Sequence, residues 1–324
     1  MKVSLVTTVL DIGPAHAAEF LASLAAQTRR PDEVIVVDGG SVDGTREAFE
    51  ASGRVTVLVE PGAGISRGRN VGIRAAAHDV LALTDADCVL DPTWLERVVA
   101  PIEAGADVAA GFYRPVAATF LQECAAATAV PEPDEVRPGW MPSSRSIAFR
   151  RAAWEATGGY PEWLAVGEDM YFNHRLRETG QRTELAVDAV VGWRVRPTLG
   201  ATWRQYARYA EGDAAAGMYP ERHALRAATY LAAGIALRSR HPVLLALAAA
   251  GAVAYAGRPV RRALRRLPDP LERAAALAAV PTAMAFVDAA KLWGYGRGLA
   301  RRLLAPRPRP AAAPQALRPL PPPG

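Results

Sequence analysis

Two aspartates stand one residue apart in the segment LTDADC, directly after a short apolar run. Asp85 and Asp87 therefore follow a predicted buried strand over residues 80–84 and lie at its open end. Hard cations such as Mg²⁺ and Mn²⁺ bind carboxylate oxygens and keep coordination sites for phosphate and water. The pair is compatible with a divalent metal site that also serves a diphosphate. Two acids with one residue between them are also common in plain turns, and for the pair taken alone the plain turn is the favoured interpretation.

Two further segments offer groups that bind a nucleotide. Asp38 ends a predicted strand and opens the turn DGGSVDGT, whose glycines let the backbone approach a ligand while the carboxylate accepts from a base or ribose. Arg67, Arg69 and Asn70 lie in the first turns of a predicted helix, in GISRGRN. Cations there oppose the helix dipole, so an anion such as a phosphate is expected to compensate them. The alternatives are a plain capped turn and a solvated basic turn.

Glu168 and Asp169 form a third candidate, after Gly167 at the start of another predicted helix. A carboxylate in this place can take the proton from an attacking acceptor hydroxyl. An acidic N-cap and first turn is the other interpretation, because acids are common at helix starts. The residues alone leave both interpretations open.

Regularly alternating elements position these candidates. The predicted elements are strands at residues 2–9, 33–37, 55–60 and 80–84, with helices at residues 15–27, 43–51 and 65–77. Short, continuous apolar runs are typical of strands buried on both faces, so the predicted fold class is α/β, with a mostly parallel sheet flanked by helices. Ligands of such sheets bind beyond the carboxyl ends of the strands. Thr8, Asp38, Asp85 and Asp87 all lie at those ends.

The chain past residue 92 has a less regular pattern. The elements predicted there are strands at residues 107–113, 147–149 and 184–193, and a helix at residues 168–179. Residues 305–324 are nearly all Pro, Ala, Arg and Leu, and we expect them to form a disordered tail.

The charge of the 324-residue chain is unevenly distributed. Residues 201–324 hold 19 Lys and Arg against 6 Asp and Glu, whereas residues 1–200 hold 19 against 27. The basic residues flank apolar runs without interleaved stacking aromatics, which disfavours nucleic acid as a partner and favours anionic lipid. Apolar segments at residues 225–237, 242–256 and 274–293 predict C-terminal membrane-associated helices, with no consistent up-and-down topology.

The cysteine content points to a reducing compartment. Only Cys88 and Cys124 are present, which is too few for a disulfide framework or a Cys-based metal site. The chain enters an apolar strand at once, so no secretory leader is expected. A cytosolic catalytic domain is the resulting expectation.

Taken together and in order, these motifs resemble family 2 glycosyltransferases with the GT-A fold. The matching segments are VSLVTTVLD, QTRRPDEVIVVDGGSVDGT, GISRGRNVGI, LTDADC and GGYPEWLAVGEDMYFNHRL. The resemblance covers roughly residues 1–215, and the full set is far more specific than any one motif. It implies a nucleotide-sugar donor, a divalent metal ion, Mg or Mn, and inversion at the anomeric carbon.

The resemblance also implies a role for each candidate by position. Asp85 and Asp87 serve the donor and the metal as a DxD motif, with Asp87 favoured as the direct ligand. Asp169 is the base, helped by Glu168. The nucleotide contacts that it implies are Thr8, Asp38 and Arg69.

Two positions depart from the family pattern. Many members carry a second aspartate where this chain has Gly39, and that side chain often helps to recognise uracil, so the base of the donor is left open. Some members supply a late metal-binding histidine, whereas residues 190–196 contain Trp193 and no histidine. The metal is then expected to rest on Asp87, the diphosphate and water.

The predicted organisation is a GT-A catalytic domain at residues 1–220, an apolar and basic membrane-associated helical region at residues 221–304, and the tail at residues 305–324. The expected acceptor is a lipid-linked or cell-envelope saccharide, and the expected location is the cell membrane with the catalytic domain on the cytoplasmic side. A sugar nucleotidyltransferase is one alternative, disfavoured because residues 10–17 lack a Gly-rich loop with Arg and Lys. The other is a membrane-anchored scaffold protein that kept the fold and lost activity.

Overall fold

The computed structural model describes residues 1–137 and 139–304. Within these residues eight strands form one sheet: β1 Val3–Val9, β2 Glu33–Asp38, β3 Thr56–Val59, β4 Val80–Leu83, β5 Val89–Leu90, β6 Val108–Val116, β7 Ile147–Arg150 and β8 Thr183–Arg194. The same residues form eleven α-helices: α1 Pro14–Ala25, α2 Thr45–Ala51, α3 Ile65–Ala75, α4 Trp94–Glu103, α5 Phe120–Ala129, α6 Arg151–Thr157, α7 Glu168–Glu178, α8 Leu199–Ala216, α9 Pro220–Ser239, α10 Pro242–Arg266 and α11 Pro270–Leu304.

The chain divides into two compact units. The sheet unit comprises Met1–Val116 and Pro133–Arg194, and the helical unit comprises residues 117–132 and 195–304. The domain boundary predicted at residue 220 stays a prediction. The tail predicted at residues 305–324 lies outside the described residues.

The sheet has the strand order β3-β2-β1-β4-β7-β6-β8-β5. β3, β2, β1 and β4 run parallel to one another, and β6 runs parallel to β8. The pairings of β7 with β4 and β6, and of β5 with β8, are antiparallel. The mostly parallel α/β sheet predicted from the apolar runs is confirmed, and its first four strands have nearly the predicted bounds.

Both faces of the sheet are covered by helices, because successive side chains of a strand point to opposite faces. Leu5 of β1 packs with Phe20 of α1 and Trp94 of α4 on one face. Val6, the next residue, packs with Ile73 of α3 and Phe172 of α7 on the other. Burial of each such large side chain stabilises the fold by about 1.5–3 kcal/mol.

Helix α3 lies unusually close to β1 because two of its residues are glycines. A Cβ atom on Gly72 would lie 2.5 Å from Cγ1 of Val6, and one on Gly68 would lie 2.9 Å from Cγ2 of Thr8. Side chains at these positions would push the helix away from the sheet. The glycines therefore fix the height at which α3 presents Arg69 at the carboxyl ends of the strands.

In the helical unit, α8 and α11 also pack closely through glycine. A Cβ atom on Gly294 would lie 1.9 Å from the carbonyl oxygen of Ala207, so this position accepts no side chain without a shift of the helices. Within the described residues, α10 and α11 are long and apolar enough to cross a membrane, judged by length and composition alone.

A buried carboxylate joins three helices of this unit. Asp288 of α11 is 3% exposed and accepts hydrogen bonds from Arg226 Nε at 2.7 Å, Tyr230 Oη at 3.0 Å and Tyr255 Oη at 2.8 Å. Arg226 and Tyr230 lie on α9, and Tyr255 lies on α10. One guanidinium and two hydroxyls thus share a single buried acceptor on α11.

Candidate active site

Arg69 is the buried centre of a cluster of charged residues. Its side chain, on α3, donates to Asp85 Oδ1 at 2.8 Å and to Glu168 Oε1 at 2.7 Å, and it lies over the ring of Tyr160 at 5.2 Å. Burial by itself lowers the pKa of this guanidinium, but the charges of Asp85 and Glu168 outweigh burial and raise the pKa. Arg69 is therefore a permanent cation that joins the segment after β4 to the start of α7.

The two acids at the start of α7 have different environments. Gly167 adopts the left-handed conformation, with φ of 86°, and turns the chain so that Glu168 points inward onto Arg69. Burial raises the pKa of the Glu168 carboxyl, and the charge of Asp169 adds to this rise while Arg69 opposes it. Glu168 thus belongs to a buried ion pair with Arg69. The family resemblance implied only that Glu168 helps the base, and it did not imply this ion pair.

Asp169 is half-buried and carries hydrogen bonds on both carboxylate oxygens. Oδ1 accepts from the backbone N–H of Met170 at 2.8 Å, and Oδ2 accepts from the hydroxyl of Ser143 at 3.1 Å. These bonds hold the carboxylate in one orientation, which a base that takes a proton from a bound hydroxyl requires.

The structure adds Arg145, a residue that no sequence motif marks. Its Nε lies 3.4 Å from Asp85 Oδ2, and its Nη1 donates to Ser143 Oγ at 2.9 Å. Its guanidinium lies over the rings of Tyr113 at 5.6 Å and Trp193 at 5.4 Å, and we call these two rings the aromatic cage. The sequence signal related to Arg145 is the unusual tryptophan at residue 193, and it does not identify Arg145 as its partner because the two residues are far apart in the chain.

Asp85 is therefore bound by two guanidinium groups, whereas Asp87 is placed differently. Asp87 is half-buried, and its Oδ1 lies 3.8 Å from the Cys88 thiol, which donates to it. Burial raises the pKa of that thiol well above its usual value, and the charges of Asp87 and Asp85 raise it further. No set of three or more His, Cys, Asp and Glu side chains in residues 1–137 and 139–304 is arranged to hold a metal ion.

The residues predicted to contact the nucleotide do not form one cluster. Asp38 is fully buried, and its carboxylate accepts from the backbone N–H groups of Gly40 and Ser41 at 3.1 to 3.2 Å. This stabilises the turn after β2. Thr8, one strand away, is partly exposed near the carboxyl end of β1, with its Cγ2 turned toward α3.

Two other candidates on α3 make contacts outside the Arg69 cluster. The exposed Arg67 forms an ion pair with Glu60. The carboxamide of Asn70 donates to the Tyr160 carbonyl and to Glu162 at 2.9 Å, and it accepts from Trp154 Nε1 at 3.1 Å. Asn70 thus anchors the loop that precedes α7.

The cluster as a whole is anionic. Four carboxylates meet two guanidinium groups, and the members are Asp85, Asp87, Glu168, Asp169, Arg69 and Arg145. An approaching diphosphate is repelled by such a cluster unless a further cation accompanies it. The carboxylate oxygens and the net charge of the cluster fit a divalent cation.

Fold and site together define a GT-A-type α/β protein, and comparison with known proteins gives the same class. A solved mannosyltransferase, PcManGT from Pyrobaculum calidifontis in complex with GDP-Man and Mn²⁺, has a similar fold with a TM-score of 0.53 at 21% identity. The similarity covers 94% of this chain and 87% of that chain.

Sequence comparison identifies the family that this chain resembles. Residues 14–122 match the family model described as glycosyl transferase family 2, which confirms the resemblance seen in the motifs. Glycosyltransferase AglE of Haloferax volcanii is 28% identical over 190 residues, or 56% of this chain and 62% of that protein. The succinoglycan biosynthesis protein ExoA of Rhizobium meliloti is 27% identical over 201 residues, or 56% and 59%. The matched part thus spans about three fifths of each relative.

Proposed function

We propose that the protein is a glycosyltransferase that moves a sugar from a nucleotide-diphosphate donor to an acceptor hydroxyl, with inversion at the anomeric carbon. The observation that carries the proposal is the connection of Asp85, at the end of β4, to Asp169, at the start of α7, through arginine and serine side chains. A donor-side carboxylate and a candidate base therefore share one rigid cluster. The family match over residues 14–122 supports the same reaction class.

The chemistry assigned to the residues is an in-line displacement. As the acceptor oxygen forms its bond to the anomeric carbon, its proton passes to Asp169, and the bond from that carbon to the diphosphate oxygen breaks. Asp169 acts mainly in the transition state, because the hydroxyl becomes acidic only as it attacks. Arg69 keeps Glu168 and Asp85 in place during this step.

A divalent cation, Mg or Mn, fits the proposal. Asp87 would hold the ion together with the diphosphate and water, since both oxygens of Asp85 face guanidinium groups. When bound, the ion offsets the negative charge that builds on the departing diphosphate. Thr8, Asp38 and Arg69 would lie toward the nucleotide, as the family pattern implies, with the base left open by Gly39.

The acceptor we propose is a lipid-linked or cell-envelope saccharide. The apolar helices α10 and α11 and the basic character of residues 201–324 support a cell-membrane location, with the catalytic domain, residues 1–220, on the cytoplasmic side and residues 221–304 facing the lipid. The relative in Rhizobium meliloti is named for succinoglycan biosynthesis, which is consistent with a polysaccharide product.

The test uses the full chain in detergent and a panel of nucleotide sugars, titrated by calorimetry with and without Mn²⁺. We expect one donor to bind only with the metal, and Asp87→Ala to abolish that binding. Asp79→Ala, which removes an exposed carboxylate of the same unit, is the matched control. Failure of every donor to bind the folded wild-type protein would reject the proposal in favour of the scaffold alternative. Transfer of a nucleotidyl group instead of a sugar would favour the nucleotidyltransferase.

A further inference from the structure

The loop before β7 places a buried serine between a cation and the candidate base. Ser143 is 8% exposed, and its hydroxyl oxygen accepts from Arg145 Nη1 at 2.9 Å. A hydroxyl carries one proton, and with the guanidinium donating to its oxygen, that proton is directed away from Arg145. It is donated to Asp169 Oδ2 at 3.1 Å. The polarity of this short chain is therefore fixed, because a guanidinium has no acceptor atom.

Arg145 is itself held by surroundings that leave it little freedom. Tyr113 on β6 and Trp193 on β8 lie on adjacent parallel strands, and their rings hold the guanidinium by cation–π contact. Asp85 Oδ2 fixes the same side chain from the donor side at 3.4 Å. Long side chains lose considerable rotamer freedom when fixed in this way, and here the sheet itself supplies the restraint.

We infer that Ser143 and Arg145 are positioning residues, which orient the Asp169 carboxylate toward the acceptor hydroxyl and link its orientation to Asp85. The inference rests on the proposed function and adds residues to the same site. Ser143 occupies one lone pair of Oδ2 and the Met170 N–H occupies one of Oδ1, which leaves one lone pair on each oxygen to accept from a bound hydroxyl. Arg145 keeps the Ser143 proton aimed at Asp169, and the aromatic cage keeps Arg145 in place.

The test is a double-mutant cycle on the full chain, with Ser143→Ala, Arg145→Ala and the pair. The reaction measured is turnover of the donor that the wild-type protein binds, with water as acceptor where no saccharide is known. We expect Ser143→Ala to lower kcat about 10- to 100-fold, the value of one hydrogen bond to a charged group, with the donor Kd unchanged. Because both residues act through one bond to Asp169, the pair should be no slower than Arg145→Ala alone.

Ser144→Ala is the matched control. It removes a neighbouring buried hydroxyl that pairs with Tyr160 Oη at 2.8 Å instead of with Asp169, and we expect kcat within about threefold of wild type. A kcat for Ser143→Ala equal to that of Ser144→Ala would overturn the inference and leave the proposed function standing. Multiplying effects in the pair would also overturn it. A wild-type protein that neither binds nor turns over any donor would reject both, and this result is distinct from the other two.

Discussion

Replacement of Arg69 by Met should cost the sheet unit a large fraction of its stability. The change keeps most of the buried stem and removes a charge that lies 2.7 Å from Glu168 and 2.8 Å from Asp85. Removal of one partner from a buried ion pair leaves the other charge uncompensated and costs about 3–5 kcal/mol. For a unit of this size, that corresponds to a fall in Tm of roughly 6–20 °C.

The loss should depend on pH, through Glu168. Burial and the charge of Asp169 raise the pKa of Glu168 in the folded protein, so its contribution to stability is present below its ordinary pKa and is lost as pH rises through the raised value. Without Arg69, which lowers this pKa, the raised value moves higher still. Arg69→Met should therefore be less stable relative to wild type at pH 8 than at pH 5.

The assay is thermal unfolding of the full chain followed by tryptophan fluorescence, which reports mainly on the sheet unit because five of the seven tryptophans lie there. Glu168→Gln in the Arg69→Met background should recover part of the loss and remove the added pH dependence. Arg67→Met is the control, since its ion pair is exposed and worth about 1 kcal/mol or less. An Arg69→Met loss as small as that of Arg67→Met, or one unchanged by Glu168→Gln, would refute the buried ion-pair account.

Three further outcomes are expected. Gly72→Ala should destabilise the sheet unit by about 1–3 kcal/mol in urea unfolding, because its Cβ would lie 2.5 Å from Val6, and Val6→Ala in the same chain should restore part of the loss. Trp193→Leu should lower the rate of donor turnover about 3- to 10-fold, because it removes one ring of the aromatic cage. Trp193→Phe keeps an aromatic ring and should retain most of that rate. Cys88 and Cys124 should not react with a thiol reagent at pH 8 until the protein is denatured, because burial raises the pKa of both thiols, that of Cys124 to about 11.

The parallel strands β1 to β4 could be predicted because the sequence pattern that marks each strand lies within its own short segment. Each of the strands from β1 to β4 is an apolar run bounded by turn residues, and α1 has its apolar residues at helical spacing. The insertion of β7 between β4 and β6, and the two-residue strand β5, depend on pairings between distant segments and leave no local pattern.

In the candidate site, too, the sequence marks some residues by their local position, whereas contacts between distant residues leave no local pattern. The acids at residues 85, 87, 168 and 169 stand out in the sequence because each follows a strand or opens a helix. The burial of Glu168 against Arg69 and the position of Arg145 do not, because each depends on a partner far away in the chain. The sequence also marks Asp38, at the end of β2, but it does not indicate that the Asp38 carboxylate is fully buried against its own turn, as it is in this structure.

The carboxylate of Asp288 also bears on the order in which the chain is made. It is the common acceptor for groups on α9 and α10, yet it lies in α11, which the ribosome produces after both of them. Until Asp288 is available, the guanidinium of Arg226 and the hydroxyls of Tyr230 and Tyr255 have to stay where water can solvate them. The helical unit therefore closes only after residue 288 has left the ribosome, while β1 to β8 are already complete and free to fold.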